Sequence, residues 1–542
     1  MLRATFAGFS VARGAMTASQ KALDVTGQNI SNVYTTGYTR QRLDQVSFAS
    51  GYGNYAVTNY TTHIGNGVLV TGTSQIRDPY LDIQYRTQMA NVGMSDAKAS
   101  ALEELESVFD ETMKSAIKDA FSDLESKLLD LANSTGAELD DSIVRSSMQS
   151  LVNLFHSNAT RLAEKRENVT KDFENSVKQV NELMEKIAEY NKTIKSSHIL
   201  GHPALELQDK RNDLLDELAS YVPIQVNYRD EYLNAAKTEK VDVLEVYMLR
   251  ADGTKVKLID HDQTGEFEAE TDNNEKFTAL ELRHLGNPND NPPTPAGTTP
   301  ISEIAGTNGD ERRLYINGGT FAGTLNMLNS SGVFDGDATT EKGFGYYEKA
   351  FDLLVDTFAQ KLNELNKKSE DVNGNPVGDG GPLFVTSDVP PSSTGPFTAA
   401  NIKVNDDWIK GAVKLKAKID PDSGTTQNDN INKFIAALND KQEFEITDAS
   451  NNQHTIFNGN FYNYYVDIES TLGIDQQATD NLLDNHITVL NTIAQSKDEV
   501  SGVSLDEEGI SLMQYQQSYT AAARLMTTLD DTLQTLLNIA GR

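Results

Sequence analysis

The segment MTASQKALDVTGQNISNVYTTGYTRQR, from Met16 to Arg42, opens as a helix and ends as a turn. Around it Phe9, Met16, Leu23 and Ile30 recur at intervals of seven, with Ala12, Ala15 and Ala22 nearby. A strict seven-residue repeat is the pattern of a seam laid against another helix. Gly27, Asn29 and Asn32 weaken the helix near its end, and Gly37 is free to take a positive φ. The segment therefore predicts a short helix with one apolar edge, followed by a polar hinge. Such a helix, with no partner in its own domain, is marginal in water.

The far end of the chain mirrors it. Leu512, Tyr515, Tyr519, Ala522, Met526, Leu529, Leu533, Leu536 and Ala540 keep an unbroken alternation of three and four. Asp506 and Glu507 stand at the start of this helix, where the helix dipole favours acids. Residues 1–60 carry five basic and two acidic groups, and residues 501–542 carry five acidic and two basic ones. The two ends can therefore meet without repulsion, although exposed charges at this density contribute little.

The body between them is acidic. The 542 residues have a net charge of −32, and the whole excess lies between 61 and 500. A general nucleic-acid binder needs the opposite surface. There is no cysteine, so no disulfide, thiolate metal site or cysteine nucleophile is possible. No run of eighteen apolar residues marks a membrane span. Ser10 and Arg13 interrupt MLRATFAGFSVARGAM, so it does not read as a cleaved secretory signal. Other export routes leave no such mark.

Along the body, residues 43–86 read as extended loop and short strands, and one helical segment is expected from about Tyr80 to Ala132. From Met148 to Ile194 apolar residues alternate in steps of four and three, interrupted only by Arg166 and Ser176. A helix over 142–195 would be roughly 80 Å long. Gly201-His202-Pro203 ends it, and LELQDKRNDLLDELASYV starts another. VDVLEVYML and KVKLI, joined by Ala251-Asp252-Gly253, predict strands of a small β-domain. NPNDNPPTPAGTTP (287–300) reads as a surface loop, helix returns over 343–368, residues 401–470 are mixed, and a helix is expected over 477–499. The expected fold is α+β and multi-domain. A long helical bundle or coiled-coil domain is built from both halves of the chain, with an inserted β-rich domain and terminal α-helices that pair on assembly. The expected boundaries are 1–60 (N-terminal helix and hinge, disordered in the monomer), 61–222, 223–318 (β-rich), 319–500 and 501–542.

No Walker A, GxSxG or HExxH motif occurs. His198 and His202 have metal-ligand spacing, but Gly201 and Pro203 break the helix that would align them. Asp260-His261-Asp262 reads as an exposed turn. DVNGNPVGDGGP (371–382) imitates the start of a calcium loop with Asp371, Asn373 and Asn375, but Pro376 and Pro382 stand where Gly and Glu are needed. Neither enzymatic activity, metal nor cofactor is expected.

The N-terminal segment through Arg42, with Asn29, Asn32, Gly37, Tyr38 and Arg40 at its hinge, resembles the N-terminal motif of bacterial flagellar rod, hook and hook-associated proteins. VSLDEEGISLMQYQQSYTAAARLMTTLDDTLQTLLNI (503–539) resembles their C-terminal motif. Val33-Tyr34 departs from the family pattern, where small residues are common. The long helical middle, DKRNDLLDELA and INGGTFAGTLNML are similar to the hook-associated protein 1 group, whereas hook and rod members carry mostly β-domains. The resemblance implies a structural subunit at the hook–filament junction, exported through the flagellar type III channel. It implies a thin ring of about eleven subunits, one per protofilament of the axial tube. Its partners would be copies of itself, hook protein, hook-associated protein 3 and a cytosolic export chaperone on the C-terminal helix. The N-terminal seam Phe9, Met16, Leu23 and Ile30 and the C-terminal seam Leu512–Leu536 would carry polymerisation. Alternatives are a hook protein or hook-associated protein 3 and, in another class, an adhesin using the acidic β-domain.

Overall fold

The computed structural model describes residues 7–47, 67–133, 138–232, 240–249, 253, 255–271, 277–283, 298–303, 316–335, 341–367, 380–388, 390–416, 428–447 and 453–540. Helix α1 (Ala7–Ser31) runs through Gly27 to the hinge, which feeds the antiparallel pair β1 (Gln41–Ser47) and β2 (Val68–Gln75), with Gln41 opposite Gln75. Asp78 then caps α2 (Pro79–Glu106) by accepting from Tyr80 N at 2.9 Å. The single helix expected over 80–132 is two, because the chain breaks after Glu106 and α3 (Glu111–Asn133) follows. The break lets Val108 and Phe109 turn into the core, where the Phe109 ring lies about 6 Å from those of Tyr347, Phe351 and Tyr465. Asp110 Oδ1 restarts the helix by accepting from Met113 N at 2.7 Å.

Helix α4 (Glu138–Ile199) has 62 residues, about 90 Å of rise. Its four-three pattern is the buried face of a bundle, with Met148, Val152, Phe155, Leu162, Phe173, Val180 and Ile187 nearly inaccessible. Arg166, the charge in that pattern, donates from Nη2 to Leu328 O at 3.2 Å and pairs through Nη1 with Glu348, also at 3.2 Å. Gly201, at φ +78, ends the turn, and α5 (Leu205–Tyr221) runs back.

A β-rich section follows. Strands β3 (Ile224–Tyr232), β4 (Lys240–Leu249), β5 (Lys255–Asp260) and β6 (Gln263–Thr264) form one antiparallel sheet in chain order. Strands β7 (Glu266–Thr271), β8 (Phe277–Arg283) and β9 (Thr298–Glu303) form a second. The loop expected over 287–300 is shorter at its end, because β9 begins at Thr298 and its backbone finds partners along β8. Helices α6 (Gly319–Asn329) and α7 (Phe344–Lys367) return the chain to the bundle. Next come β10 (Phe384–Thr386), β11 (Ile402–Val404), α8 (Asp406–Ile409), α9 (Asp429–Asn439), β12 (Gln442–Thr447) and β13 (Gln453–Gly459).

Helix α10 (Phe461–Ser501) starts well before the expected residue 477. Asn460 caps it, and Phe461, Tyr464, Tyr465, Ile468 and Leu472 form a buried helical stripe. Helix α11 (Leu505–Ala540) completes the chain. Among the described residues, the main hydrophobic core takes its buried members only from Ala101 to Leu472. The two chain halves run together as two helix pairs: α2 with α10, which enters this core through Ala101, Leu102 and Leu105 and through Phe461 to Leu472, and α1 with α11, which lies outside it. No helix among the described residues is long and apolar enough to cross a membrane.

Two carboxylates of α7 hold the segment before β11. Asp352 Oδ1 accepts from Ala399 N at 2.7 Å, and Asp356 Oδ1 accepts from Phe397 N at 2.8 Å. Burial pushes the Asp352 carboxyl up to about 7 against the Ala399 N–H, with Glu348 and Asp356 adding to the rise. A folded-state value above the unfolded one means that the folded chain binds the extra proton, so this group withdraws stability as pH rises from the ordinary carboxylate range through 7. Asp352→Asn, which keeps the acceptor, should raise the bundle's urea midpoint at about pH 8 and leave it nearly unchanged at about pH 4. Equal shifts at both pH values, followed by circular dichroism, would contradict this assignment.

Candidate functional site: the terminal helix pair and its hinge

The hinge is held by polar side chains rather than by a core. Asn29, on the last turn of α1, is 1 % exposed. Its Nδ2 donates to Gln41 O at 2.9 Å and its Oδ1 accepts from Gln41 N at 3.0 Å, so one side chain acts as a strand edge for the start of β1. The same Oδ1 accepts from the Tyr38 hydroxyl at 3.0 Å. Burial, reinforced by Asp209, Glu206 and Glu508, pushes that hydroxyl up to about 12, so it stays a donor. Asn32 Nδ2 donates to Gln28 O at 3.0 Å, and its Oδ1 accepts from the Thr35 hydroxyl at 3.2 Å. Gly37 has φ +77, and a Cβ there would lie 2.2 Å from an Asp213 carboxylate oxygen.

Helix α5 supplies the other half of the joint. Asp209 accepts from Thr39 N at 3.1 Å through one oxygen and from Gln75 Nε2 at 2.8 Å through the other. One buried carboxylate thus ties together the hinge, β2 and the body. Burial raises its pKa, and the Thr39 and Gln75 hydrogen bonds and the Arg77 charge offset this in part. Arg77 pairs with Asp82 at 2.7 Å, Arg86 with Asp216 at 2.7 Å, and Lys497 reaches Asp216 at 2.7 Å and Asp82 at 3.4 Å. Burial works to raise the Asp82 carboxyl, but Arg77 outweighs it and holds the group below the usual range.

Arg40 joins the hinge to the C-terminal helix. Its Nε lies 2.7 Å from Glu508 and its Nη1 2.6 Å from Glu507, while its backbone N donates to Ser501 O at 2.8 Å. The small opposite charges of the two chain ends meet at this residue. The Glu508 side chain is 3 % exposed, so its pair exceeds an ordinary surface bridge. Between residues 32–40 and the α10–α11 corner lies a polar cleft of about 530 Å³, with Tyr34 at its rim 91 % exposed.

Beyond the hinge, α1 lies against α11 and the β1–β2 pair. Its fully buried residues are small or polar: Ala12, Ala18, Ser19, Ala22, Thr26 and Asn29. The expected seam residues Phe9, Met16, Leu23 and Ile30 lie beside this face and remain half-buried. On α11, Ala522 is buried, Tyr515, Tyr519, Met526, Leu529 and Leu533 are half-buried, and Leu512 and Leu536 are exposed. The helices approach closely where Gly8 meets Leu529, since a Cβ on Gly8 would stand 3.1 Å from its side chain. The pairing is thus present within one chain, and larger apolar side chains flank it.

Asp209 and Asp213 are hinge residues that the sequence motifs do not single out. Their signal was the acidic spacing in DKRNDLLDEL, which puts 209, 213 and 216 along one side of α5. The other candidates are structural. His198 contacts Gln208 through its ring at 3.2 Å, and His261, expected in an exposed turn, is instead buried in the β5–β6 turn at φ 58, where its backbone O accepts from Asn191 Nδ2 at 2.8 Å. Residues 371–379 of the calcium-loop imitation lie outside the described residues. Among the described residues no cluster of three or more His or acidic side chains could hold a metal.

Comparison with known families matches residues 102–384 to the flagellar hook-associated protein FlgK helical domain. The chain belongs to that family. Residues 9–39 match the flagella basal body rod protein family, and 494–539 match the flagellar basal body rod FlgEFG protein C-terminal family. The chain is 28 % identical to flagellar hook-associated protein 1 of Bacillus subtilis (strain 168) over 550 residues, spanning 100 % of this chain and 99 % of that one. It is 23 % identical to the Escherichia coli (strain K12) protein of the same name, spanning 97 % and 98 %. The flagellar hook junction protein FlgK from Burkholderia pseudomallei shares the fold, with a TM-score of 0.53 and 11 % identity over 77 % of this chain and 100 % of that one. As a FlgK family member, the chain is a structural, non-enzymatic flagellar protein of the extracellular hook–filament junction.

Gly37→Ala should destabilise the hinge by about 1–3 kcal/mol, through both the left-handed backbone and the Asp213 contact. Asp213→Ala should recover part of that loss, because it removes the contact and leaves the backbone cost. Protease cleavage within 32–40 reads both effects, and equal cleavage of wild type and Gly37→Ala would rule out the strain.

Proposed function

We propose that this FlgK family member polymerises through α1 and α11 into the junction ring between hook and filament. The observation that carries the proposal is the half-covered apolar edge of the α1–α11 pair. Phe9, Met16, Leu23 and Ile30 on one helix and Leu512, Tyr515, Tyr519, Met526, Leu529, Leu533 and Leu536 on the other keep surface that one chain leaves uncovered. Burying one such side chain fully stabilises by about 1.5–3 kcal/mol. Neighbouring copies supply that cover. The ends of the pair farthest from the hinge are marginal alone, and they gain full order on assembly.

The resemblance adds the rest of this reading. The ring has about eleven copies, a closed heterologous assembly. Hook protein lies on one side and hook-associated protein 3 on the other. A cytosolic chaperone covers α11 before export through the type III channel. The acidic body faces water, and the nearly neutral ends face the inner tube.

Antibody to residues 223–315, imaged by immunogold on whole flagella, should give one band where hook meets filament. Label along the length of either structure would refute the ring, and label away from flagella would favour an adhesin. Leu529→Asp should leave the bundle's melting transition in place and abolish incorporation into the junction. Full swimming of a deletion strain carrying Leu529→Asp would show that α11 does not serve as the seam.

A further inference from the structure

We infer, on the reading of this chain as a subunit of an ordered array, that one flank of α10 is a second contact between copies, on the helical body and apart from the α1–α11 pair. Helix α10 buries Phe461, Tyr464, Tyr465, Ile468 and Leu472 at its start, but from 473 to 500, roughly 40 Å of helix, no residue is buried. That stretch is not short of apolar side chains. Leu483, Leu490 and Ile493 are half-buried on the side where Gln88 of α2 meets His486 and Asp82 of α2 meets Lys497. Beside them Ile474 is 66 % exposed, Leu482 46 %, Val489 47 % and Val500 41 %. With the exposed Ala478, these four fall within about a quarter of the helix circumference. A surface helix ordinarily turns a charged side to water, and one that is apolar on its outer flank as well as its inner side is built to be covered on both.

Charge says what covers it. From Gly473 to Ser496 the sequence has no lysine or arginine, and its acids are Asp475, Asp480 and Asp484. Asp475 is held by Lys342 at 3.0 Å and by the Tyr347 hydroxyl at 2.9 Å. Asp480 and Asp484 stand on the opposite side of the helix from the stripe, whose neighbours are Asn481, Asn485 and Thr492. The outer side of α4 is the contrast, with Glu167, Lys171, Glu174, Lys178, Glu182 and Lys186 all exposed as on an ordinary solvated face. A strongly basic or acidic partner would find nothing to pair with on the α10 flank. Two bodies of the same acidic chain, at −32 each, repel unless they meet over a surface poor in charge, and this flank is one. It is also in the right place, because α10 passes into α11 through Gly502–Ser504, so a copy laid along the apolar edge of α11 continues onto α10. In a ring the contact is heterologous, so α10 of one copy meets a different face of the next.

The photo-cross-linking amino acid p-benzoylphenylalanine, placed at Leu482 or at Val489 of the full chain, tests the contact in assembled flagella. Irradiation should give an adduct of two copies of this chain, with the second site on a face other than α10. Adducts confined to one chain, adducts with another axial protein, or no adduct from either position would overturn the inference. A double variant, Leu482→Lys with Val489→Lys, provides an independent reading, since both positions are exposed in the single chain. It should leave the melting transition of the purified chain in place and lower its incorporation into flagella by about tenfold or more, because two ammonium groups would have to be buried. Unchanged incorporation would show that the flank stays in water and would overturn the contact. Immunogold position separates this failure from failure of the junction reading: a band at the junction without these effects removes the α10 contact alone.

Discussion

Asp209 and Asn29 carry the constraint on which the arrangement of the chain ends depends. Each is a short polar side chain, buried, that satisfies backbone N–H groups of the hinge. A segment rich in Asn, Thr and Gly has too little apolar surface to fix itself by burial. Its backbone groups must find partners, since buried unpaired donors are costly. Asn29 supplies both a donor and an acceptor to Gln41, and Asp209 supplies two acceptors. With those bonds made, β1 has a fixed start, β2 has a fixed partner, and α1 and α11 leave the body side by side.

From this joint the molecule divides by chemistry. The body is held by aromatic packing: Phe155, Phe351, Phe358, Phe461 and Tyr465 interlock with ring centroids about 5.5–6 Å apart. The α1–α11 pair is held by small residues that let the helices approach, and the Arg40 ion pairs to Glu507 and Glu508 tie the hinge to α11. A subunit that must join an ordered array needs both features. The core keeps its shape through assembly, and the ends carry apolar surface that a neighbour can cover. Large residues at the α1–α11 contact would complete the pair within one chain. Ala12, Ala18 and Ala22 leave Phe9, Met16 and Leu23 at its edge.

The long elements were legible because their pattern is periodic. Met148 to Ile194 and Leu512 to Leu536 read as helices from spacing alone, and α4 and α11 contain them. VDVLEVYML and KVKLI read as strands because a turn ending in Gly253 separates two apolar runs. What failed was local. The break at 107–110 contains no Gly or Pro, and the chain turns there to place Phe109 among rings more than two hundred residues away. The early start of α10 was hidden because its stripe is aromatic, and Phe and Tyr also suit strands. At the hinge, Asn29, Gly37, Tyr38 and Arg40 were visible as a motif, but Asp209, which holds Thr39, lies 170 residues away on α5, and the partners of the Arg40 side chain lie on α11. The sequence placed Phe9, Met16, Leu23 and Ile30 on one edge, yet spacing alone does not say whether the alanines beside them face the first partner.

Electron cryo-microscopy of isolated hook–filament junctions tests the central claim most directly. The account predicts α1 and α11 of the same chain side by side, Gly8 against Leu529, with Phe9, Met16, Leu23, Leu512 and Leu536 covered by neighbouring copies. Junctions in which these side chains face solvent, or in which α1 stands apart from its own α11, would contradict it.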